Sequence, residues 1–251
     1  KTQKRATSVS DAKPVMGNPV PGSRSLTIIV PAYNEEGNIG PTCRGIVELA
    51  EKHLENYEIL VFDDASTDKT SEKVRELEGG NAHVKLIRNE HNRGLGYNYC
   101  AGVQKASCRY VMIIPGDNEV IASSLEEIFR TLGEADIGIC YAANSLIRPP
   151  MRQFISKLFT DTLNFLFGLK IRYFNGPNVL RADLAKANLP QTSSFAYMAV
   201  LLVRLLKQGH SYKHYTFELK PRLYGKTTAF RPQNVIRVMR DIAKLFLRTY
   251  F

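Results

Sequence analysis

Three short acidic segments carry the side chains best suited to chemistry: Glu35 and Glu36 in PAYNEEG (31–37), Asp63 and Asp64 in FDDASTDKT (62–70), and Asp117 and Glu119 in PGDNE (115–119). Each follows a short apolar run rich in β-branched residues that stops abruptly in polar, loop-forming residues, the pattern of a strand end. Open α/β sheets bind ligands just outside the carboxyl ends of their strands. A carboxylate there can accept a hydrogen bond from a nucleobase N–H or a ribose hydroxyl. Because successive strand residues point to opposite faces, at least one of Asp63 and Asp64 should face such a ligand. Asp117 and Glu119, two apart in a segment read as extended, would share a side and could both give oxygen to one hard cation, leaving its other positions to water and phosphate. The competing reading is that these acids cap turns and helices, as Asp, Ser and Thr commonly do. Asn92–Asn98 (NRGLGYN) adds a glycine-bearing loop entering a helix, whose N–H groups could approach a diphosphate.

The elements that must position these groups alternate. Strands are expected near 27–31, 57–63, 84–88, 109–114 and 136–141 with helices between them, which means βαβ units and a mostly parallel sheet. Pro41 suits the first turn of a helix carrying Ile46, Val47, Leu49, Ala50 and Leu54 on one face. Ser123 with Glu126, and Ser124 with Glu127, each offer a capping box ahead of the fifth strand. The expected organisation is a basic, Ser/Pro/Gly-rich disordered arm over 1–24, one α/β domain over 25–230, and a basic amphipathic helix over 231–251.

Composition narrows the function classes. A chain of 251 residues with 44% hydrophobic content can bury one sizeable core. Apolar runs such as Ala199–Val203 fall far short of the roughly 18 residues that suggest a bilayer span, and no cleavable signal peptide is evident. Cys43, Cys100, Cys108 and Cys140 lack CxxC spacing, so free thiols in a reducing, cytoplasmic setting are expected. The net charge of +10 is uneven: residues 26–146 hold 11 Lys/Arg against 19 acids, and residues 147–251 hold 18 against four. Such a basic final third can meet nucleic acid, anionic lipid or a phosphorylated substrate. No helix-turn-helix, zinc-finger or RNP-like pattern accompanies it, so no nucleic-acid partner is expected. His210 and His214 sit in a strand-like stretch where positions four apart are too widely spaced for an easy chelate.

PAYNEEGNI, DDASTDKT, NRGLGYN and PGDNE occur in the order and at the spacing of the inverting family 2 glycosyltransferases of GT-A fold. From about Leu26 the chain most resembles the dolichol-phosphate mannose synthase group of polyprenyl-phosphate glycosyltransferases. That resemblance implies a Rossmann-like, mostly parallel sheet, a GDP- or UDP-linked sugar donor and a divalent metal, Mg²⁺ or Mn²⁺. The acceptor in such enzymes is often a polyprenyl phosphate. It would set Pro31, Ala32, Tyr33, Asn34, Glu35, Gly94 and Gly116 around the nucleotide sugar, Asp63 or Asp64 on base or ribose, and Asp117 and Glu119 at the metal as catalytic groups.

Two departures stand out against that family. Its usual Asp-x-Asp has become Pro115-Gly116-Asp117, so one metal ligand is missing. Val200 stands where many members carry an acid, which removes a candidate general base. A phosphate oxygen, already anionic near neutral pH, needs no base, whereas a sugar hydroxyl does. Arg148, Arg152, Arg222, Lys226 and Arg231 could hold an acceptor phosphate by charge-assisted hydrogen bonds. Met151–Leu169 and Asn234–Phe251 read as basic, aromatic-bearing amphipathic helices suited to a membrane interface, although helical periodicity alone would also let them cover the core. The function expected is transfer of mannose or glucose, with inversion, to a polyprenyl or dolichyl phosphate at the cytoplasmic face of a membrane. The alternatives are transfer to a saccharide or protein hydroxyl, or a catalytically silent nucleotide- or membrane-binding homologue.

Overall fold

β1 (Ser25–Ala32) is buried at all eight positions, because both faces of the sheet are covered. The computed structural model of the protein describes residues 24–221 and 232–251. After β1 come α1 (Ile39–His53), β2 (Asn56–Asp63), α2 (Thr70–Gly80), β3 (Val84–Arg88), α3 (Leu95–Lys105), β4 (Tyr110–Ile113), α4 (Glu126–Arg130) and β5 (Ile137–Ala142). The second half contains α5 (Pro150–Phe167), β6 (Val179–Arg181), α6 (Ala182–Ala187), α7 (Tyr197–Lys207), β7 (Tyr212–Phe217) and α8 (Pro232–Tyr250). The sheet runs β3-β2-β1-β4-β6-β5-β7. Only β6 is antiparallel to its neighbours among these strands; the other pairings are parallel.

Period-two alternation sorts the strand residues into two cores. Ile29, Leu60, Phe62, Val111 and Ile113 face one side, with buried residues of α3, α5, α7 and α8. Ile28, Val30, Ile59, Val61 and Met112 face the other, under α1, α2 and α4. Each fully buried Ile or Phe in these layers contributes about 1.5–3 kcal/mol relative to exposure. α3 packs so tightly on β1 that a Cβ on Gly102 would lie 2.6 Å from Ile29 Cγ1 and Cδ1.

The expected strands appear within about two residues. The expected capping boxes do not form, since no side chain caps α4. Ser124 Oγ instead donates to Ile121 O (2.6 Å) and accepts from Glu218 N (2.9 Å), tying the segment before α4 to the end of β7. α5 begins at Pro150 and ends where Gly168 turns left-handed at φ 64°. α8 is joined to the rest by Ile242 and Leu245, which are buried in the α7 core. Most of the expected N-terminal arm lies outside the described residues.

Candidate active site

The carboxyl ends of β1 and β2 are stitched together by their loops. Asp64 N donates to Ala32 O, Asn34 N donates to Ser66 Oγ (2.9 Å), and Asn34 Oδ1 accepts from Thr67 N (2.9 Å). Glu35 N donates to Thr70 Oγ1 (2.8 Å), Glu36 N to Asp68 Oδ2 (3.1 Å), and Lys69 N to Glu36 Oε2 (3.0 Å). Asp68 is held below its ordinary carboxylate value: burial pushes the other way, but bonds from the Thr70 hydroxyl and N–H and from Glu36 N–H outweigh it. This weave requires Asn34 (φ 55°) and Ala65 (φ 64°) to be left-handed. For Ala65 that costs about 1–2 kcal/mol, tolerated because the surrounding bonds over-determine the turn.

Asp63 and Asp64 are both committed to protein donors. Asp63, fully buried, accepts from Ser66 N (2.9 Å) and from the Ser71 hydroxyl, and Arg88 Nε lies 3.7 Å away. Asp64 accepts from Asn89 Nδ2 (2.7 Å), Arg93 N (2.8 Å) and Gly94 N (2.9 Å). Asp63 thereby fastens the start of α2, and Asp64 the turn into α3. The Arg93 and Gly94 amides, which the sequence suggested could approach a diphosphate, point at Asp64. What this edge exposes is the ring of Tyr33 with Asn34 and Glu36, while Pro31, Ala32 and Glu35 are buried beneath.

β4 delivers the third segment beside the first. Gly116 N donates to Pro31 O (3.0 Å). A Cβ on Gly116 would meet Ile39 Cδ1 at 3.0 Å and Ala32 Cβ at 3.2 Å, so glycine lets the turn lie directly on the β1 loop. The segment is not extended as expected: Asn118 is left-handed (φ 56°) and Asp117 Oδ1 accepts from Glu119 N (3.2 Å). Glu119 is buried, and its Oε2 lies 3.7 Å from the Arg152 guanidinium of α5. Arg148, four residues earlier, donates to the Tyr173 hydroxyl (3.2 Å). The structure thus brings Arg152 to the acidic edge. Arg222, Lys226 and Arg231 lie outside the described residues.

The donor set bears on a metal. No group of three or more His, Cys, Asp or Glu side chains arranged to hold a metal exists among the described residues. Asp117 and Glu119 carry the hard carboxylate oxygens that a cation completing its shell with water and a diphosphate could use, but the expectation that they share a side rested on an extended segment, which Asn118 interrupts. Val200 is buried in α7 and offers no ionisable group.

Residues 27–186 match the model of the family described as Glycosyl transferase family 2. The chain belongs to that family. Among curated relatives it is 30% identical over 122 residues to the Escherichia coli UDP-Glc:alpha-D-GlcNAc-diphosphoundecaprenol beta-1,3-glucosyltransferase WfgD, covering 49% of this chain and 46% of that one. It is 26% identical over 172 residues to the dolichol-phosphate mannosyltransferase of Saccharomyces cerevisiae, covering 62% and 64%. The chain spans 28% to 64% of the length of such relatives. Among solved structures, glucosyl-3-phosphoglycerate synthase from Mycobacterium tuberculosis, in complex with Mn²⁺, UDP and glucosyl-3-phosphoglycerate, superposes with a TM-score of 0.66 at 14% identity, covering 88% of this chain and 80% of that one. A second complex of the same enzyme, with Mn²⁺, UDP-glucose and phosphoglyceric acid, gives 0.67 at 13%, covering 89% and 80%. At such identity the likeness establishes the fold, which is the GT-A arrangement expected from the resemblance.

Several contributors were missed from sequence. Ser66, Thr67, Asp68 and Thr70 build the weave and Asn89 buttresses Asp64; the run of Ser, Thr and Asp after β2 was the available signal, because such side chains bond nearby backbone. Tyr173 carried no such pattern, whereas the Gln191–Ser194 loop did in Thr192-Ser193-Ser194, two of whose hydroxyls accept from backbone N–H groups two residues on. Gly96 shows why that loop matters: a Cβ there would lie 2.7 Å from Ser194 O, so the loop rests on the first turn of α3.

Proposed function

We propose that this family 2 glycosyltransferase moves a hexosyl group, mannose or glucose, from a nucleotide-diphosphate sugar to a polyprenyl phosphate with inversion at the anomeric carbon. The observation that carries this reading is the contact of Arg152 with Glu119. It places a cation of α5 at the acidic strand ends, on a helix whose outer side exposes Met151, Phe154, Ile155, Leu158 and Phe165. These lie at i, i+3, i+4, i+7 and i+14, one stripe along the helix. An acceptor with a phosphate head and an apolar tail meets both features. The yeast relative, a dolichol-phosphate mannosyltransferase, supports a polyprenyl phosphate acceptor, while the bacterial relative shares only the polyprenyl carrier, since its β-1,3 bond is made to a sugar hydroxyl.

In the proposed reaction an acceptor phosphate oxygen forms a bond to the anomeric carbon as the bond from that carbon to the donor diphosphate breaks. The attacking oxygen is already anionic, so no proton need be removed and the buried Val200 is no handicap. Arg152 and Arg148 would orient the phosphate, and Arg222 and Lys226 are proposed to join them. Pro31, Ala32, Tyr33, Asn34, Glu35, Gly94 and Gly116 would frame the nucleotide sugar. Asp63 and Asp64 act there through the loops they fasten. Asp117 and Glu119 would hold Mg²⁺ or Mn²⁺, whose charge offsets that growing on the departing diphosphate.

No described helix is long and apolar enough to cross a membrane. The exposed stripe of α5, with that of α8, would instead lie in the interface at the cytoplasmic face. The test is transfer from GDP-mannose and from UDP-glucose to a short polyprenyl phosphate with Mg²⁺ or Mn²⁺. Turnover with one donor, lost in Asp117→Ala, is expected. Transfer to saccharide hydroxyls in preference to the lipid phosphate, or no turnover with either donor, refutes the reading.

A further inference from the structure

Beyond the strand ends, α8 has three sides. Val238, Ile242, Leu245 and Phe246 pack into the core. Ile236, Met239, Leu247 and Tyr250 are exposed. Arg237, Arg240, Lys244 and Arg248, at i, i+3, i+7 and i+11, form a basic edge. Arg237, Arg240 and Lys244 face the Gln191–Ser194 loop across a cleft of about 450 Å³, within the range of small-ligand sites.

The cleft is built rather than incidental. Its one carboxylate, Asp241, is bound by the hydroxyls of Thr192 and Ser194 (2.6 Å for the latter), which pins the loop to α8. Ser194 N in turn donates to Thr192 Oγ1 (3.0 Å) and Ala196 N to Ser194 Oγ (3.1 Å), so the loop has a fixed shape. Three cations therefore rim a concave space against one carboxylate already occupied by hydroxyl donors. Excess positive charge reaches beyond it: burial, and after it Arg248, hold the Arg204 guanidinium below its ordinary value.

A phosphate monoester carries about −1.5 to −2 charge near pH 7 and three acceptor oxygens. Two guanidinium forks and an ammonium, with Gln191 and Ser193 at the rim, match that anion better than a carboxylate with two oxygens. We propose that the cleft between the Gln191–Ser194 loop and the basic edge of α8 binds a phosphate monoester. Its residues are separate from Arg148 and Arg152, and the site does not depend on the transfer reaction proposed above. The ester is either a soluble metabolite or a lipid headgroup, the latter served by the exposed apolar side of α8. The site also abuts the donor side, since Ser193 O lies 3.2 Å from a Cβ built on Gly94, whose amide Asp64 holds.

Two probes share the headgroup chemistry: glycerol 3-phosphate, titrated calorimetrically against the full chain, and phosphatidylcholine vesicles with or without phosphatidic acid, scored by flotation. Saturable binding of glycerol 3-phosphate assigns a soluble ester; capture by phosphatidic acid vesicles alone assigns a lipid. In either case Arg237→Gln/Arg240→Gln weakens binding by about tenfold or more, Lys244→Gln weakens it too, and Arg152→Gln leaves it unchanged. Lys244→Gln alone decides if the double variant loses its far-UV circular dichroism. Binding of neither probe, or equal binding by wild type and the cleft variants, overturns the proposal, as does equal loss in Arg152→Gln. Sugar transfer assayed on the same preparations separates the two readings: absent transfer with intact cleft binding refutes the transferase proposal only.

Discussion

Replacing Asp64 probes how the strand ends are held in place. Its carboxylate is 4% exposed and receives Asn89 Nδ2 at 2.7 Å, Arg93 N at 2.8 Å and Gly94 N at 2.9 Å. Asp64→Ala deprives all three donors. Asn89 Nδ2 keeps its second bond, to Asn98 Oδ1 (2.7 Å), so the loss falls mainly on two backbone N–H groups. At about 1–3 kcal/mol for each buried donor left unpaired, and with some water entering the half-buried loop, the variant should lose about 3 kcal/mol. Asp64→Asn keeps one acceptor oxygen but turns an NH₂ toward a donor, and should lose about 2 kcal/mol. Urea unfolding followed by far-UV circular dichroism measures this. With a slope of about 2 kcal/mol per molar, the alanine midpoint should fall by about 1.5 M. Amide exchange gives the local readout, with the Gly94 and Arg93 amides exchanging faster while β1 is unaffected. An Asp64→Ala protein within about 0.5 kcal/mol of wild type, with Gly94 still protected, would show that Asp64 does not anchor the turn into α3.

Three further outcomes are expected. Glu58 sits at the opposite sheet edge, where burial would raise its carboxyl; bonds from Thr27 Oγ1 (2.6 Å) and Ser107 N (2.7 Å) prevail and hold it below its ordinary 4.5. A depressed carboxyl stabilises the fold fully above its unfolded value and less as pH falls through the folded one. The stability gap between wild type and Glu58→Gln should therefore be level above about pH 5 and shrink below it in denaturation curves. Gly102→Ala drives a methyl into Ile29 and should cost about 1–3 kcal/mol in thermal unfolding, partly recovered by Ile29→Val. Burial pushes the Cys43 thiol up to about 12, with Arg44 opposing weakly, so iodoacetamide at pH 8 should label it only after unfolding, as mass spectrometry would show.

Much of the fold was legible because it is periodic. Ile28, Ile29 and Val30 are apolar on successive positions since both sheet faces are covered, and the same holds for Ile59–Phe62 and Val111–Ile114. β6, three residues long, leaves no run to detect, and its antiparallel placement between β4 and β5 comes from pairing distant in sequence. Ser124 has the sequence of a cap, yet Glu218, 94 residues away, takes its hydroxyl. The PGDNE segment looked extended, but Asn118 turns it.

By itself the sequence determined where the carboxylates gather, because continuous apolar runs end visibly at Ala32, Phe62 and Ile114, and parallel strands put those ends on one edge. It also carried the family motifs and the two departures, Pro115 and Val200, which are matters of residue identity. Only the tertiary structure decided how those carboxylates are used. Asp64 meets donors 25 to 30 residues ahead of it and Asp241 meets Thr192 49 residues behind. Glu119 meets Arg152 across the start of α5. A carboxylate's partners are set by distances of about 3 Å in space, and chain separation says nothing about those until the sheet order and helix packing bring the loops together.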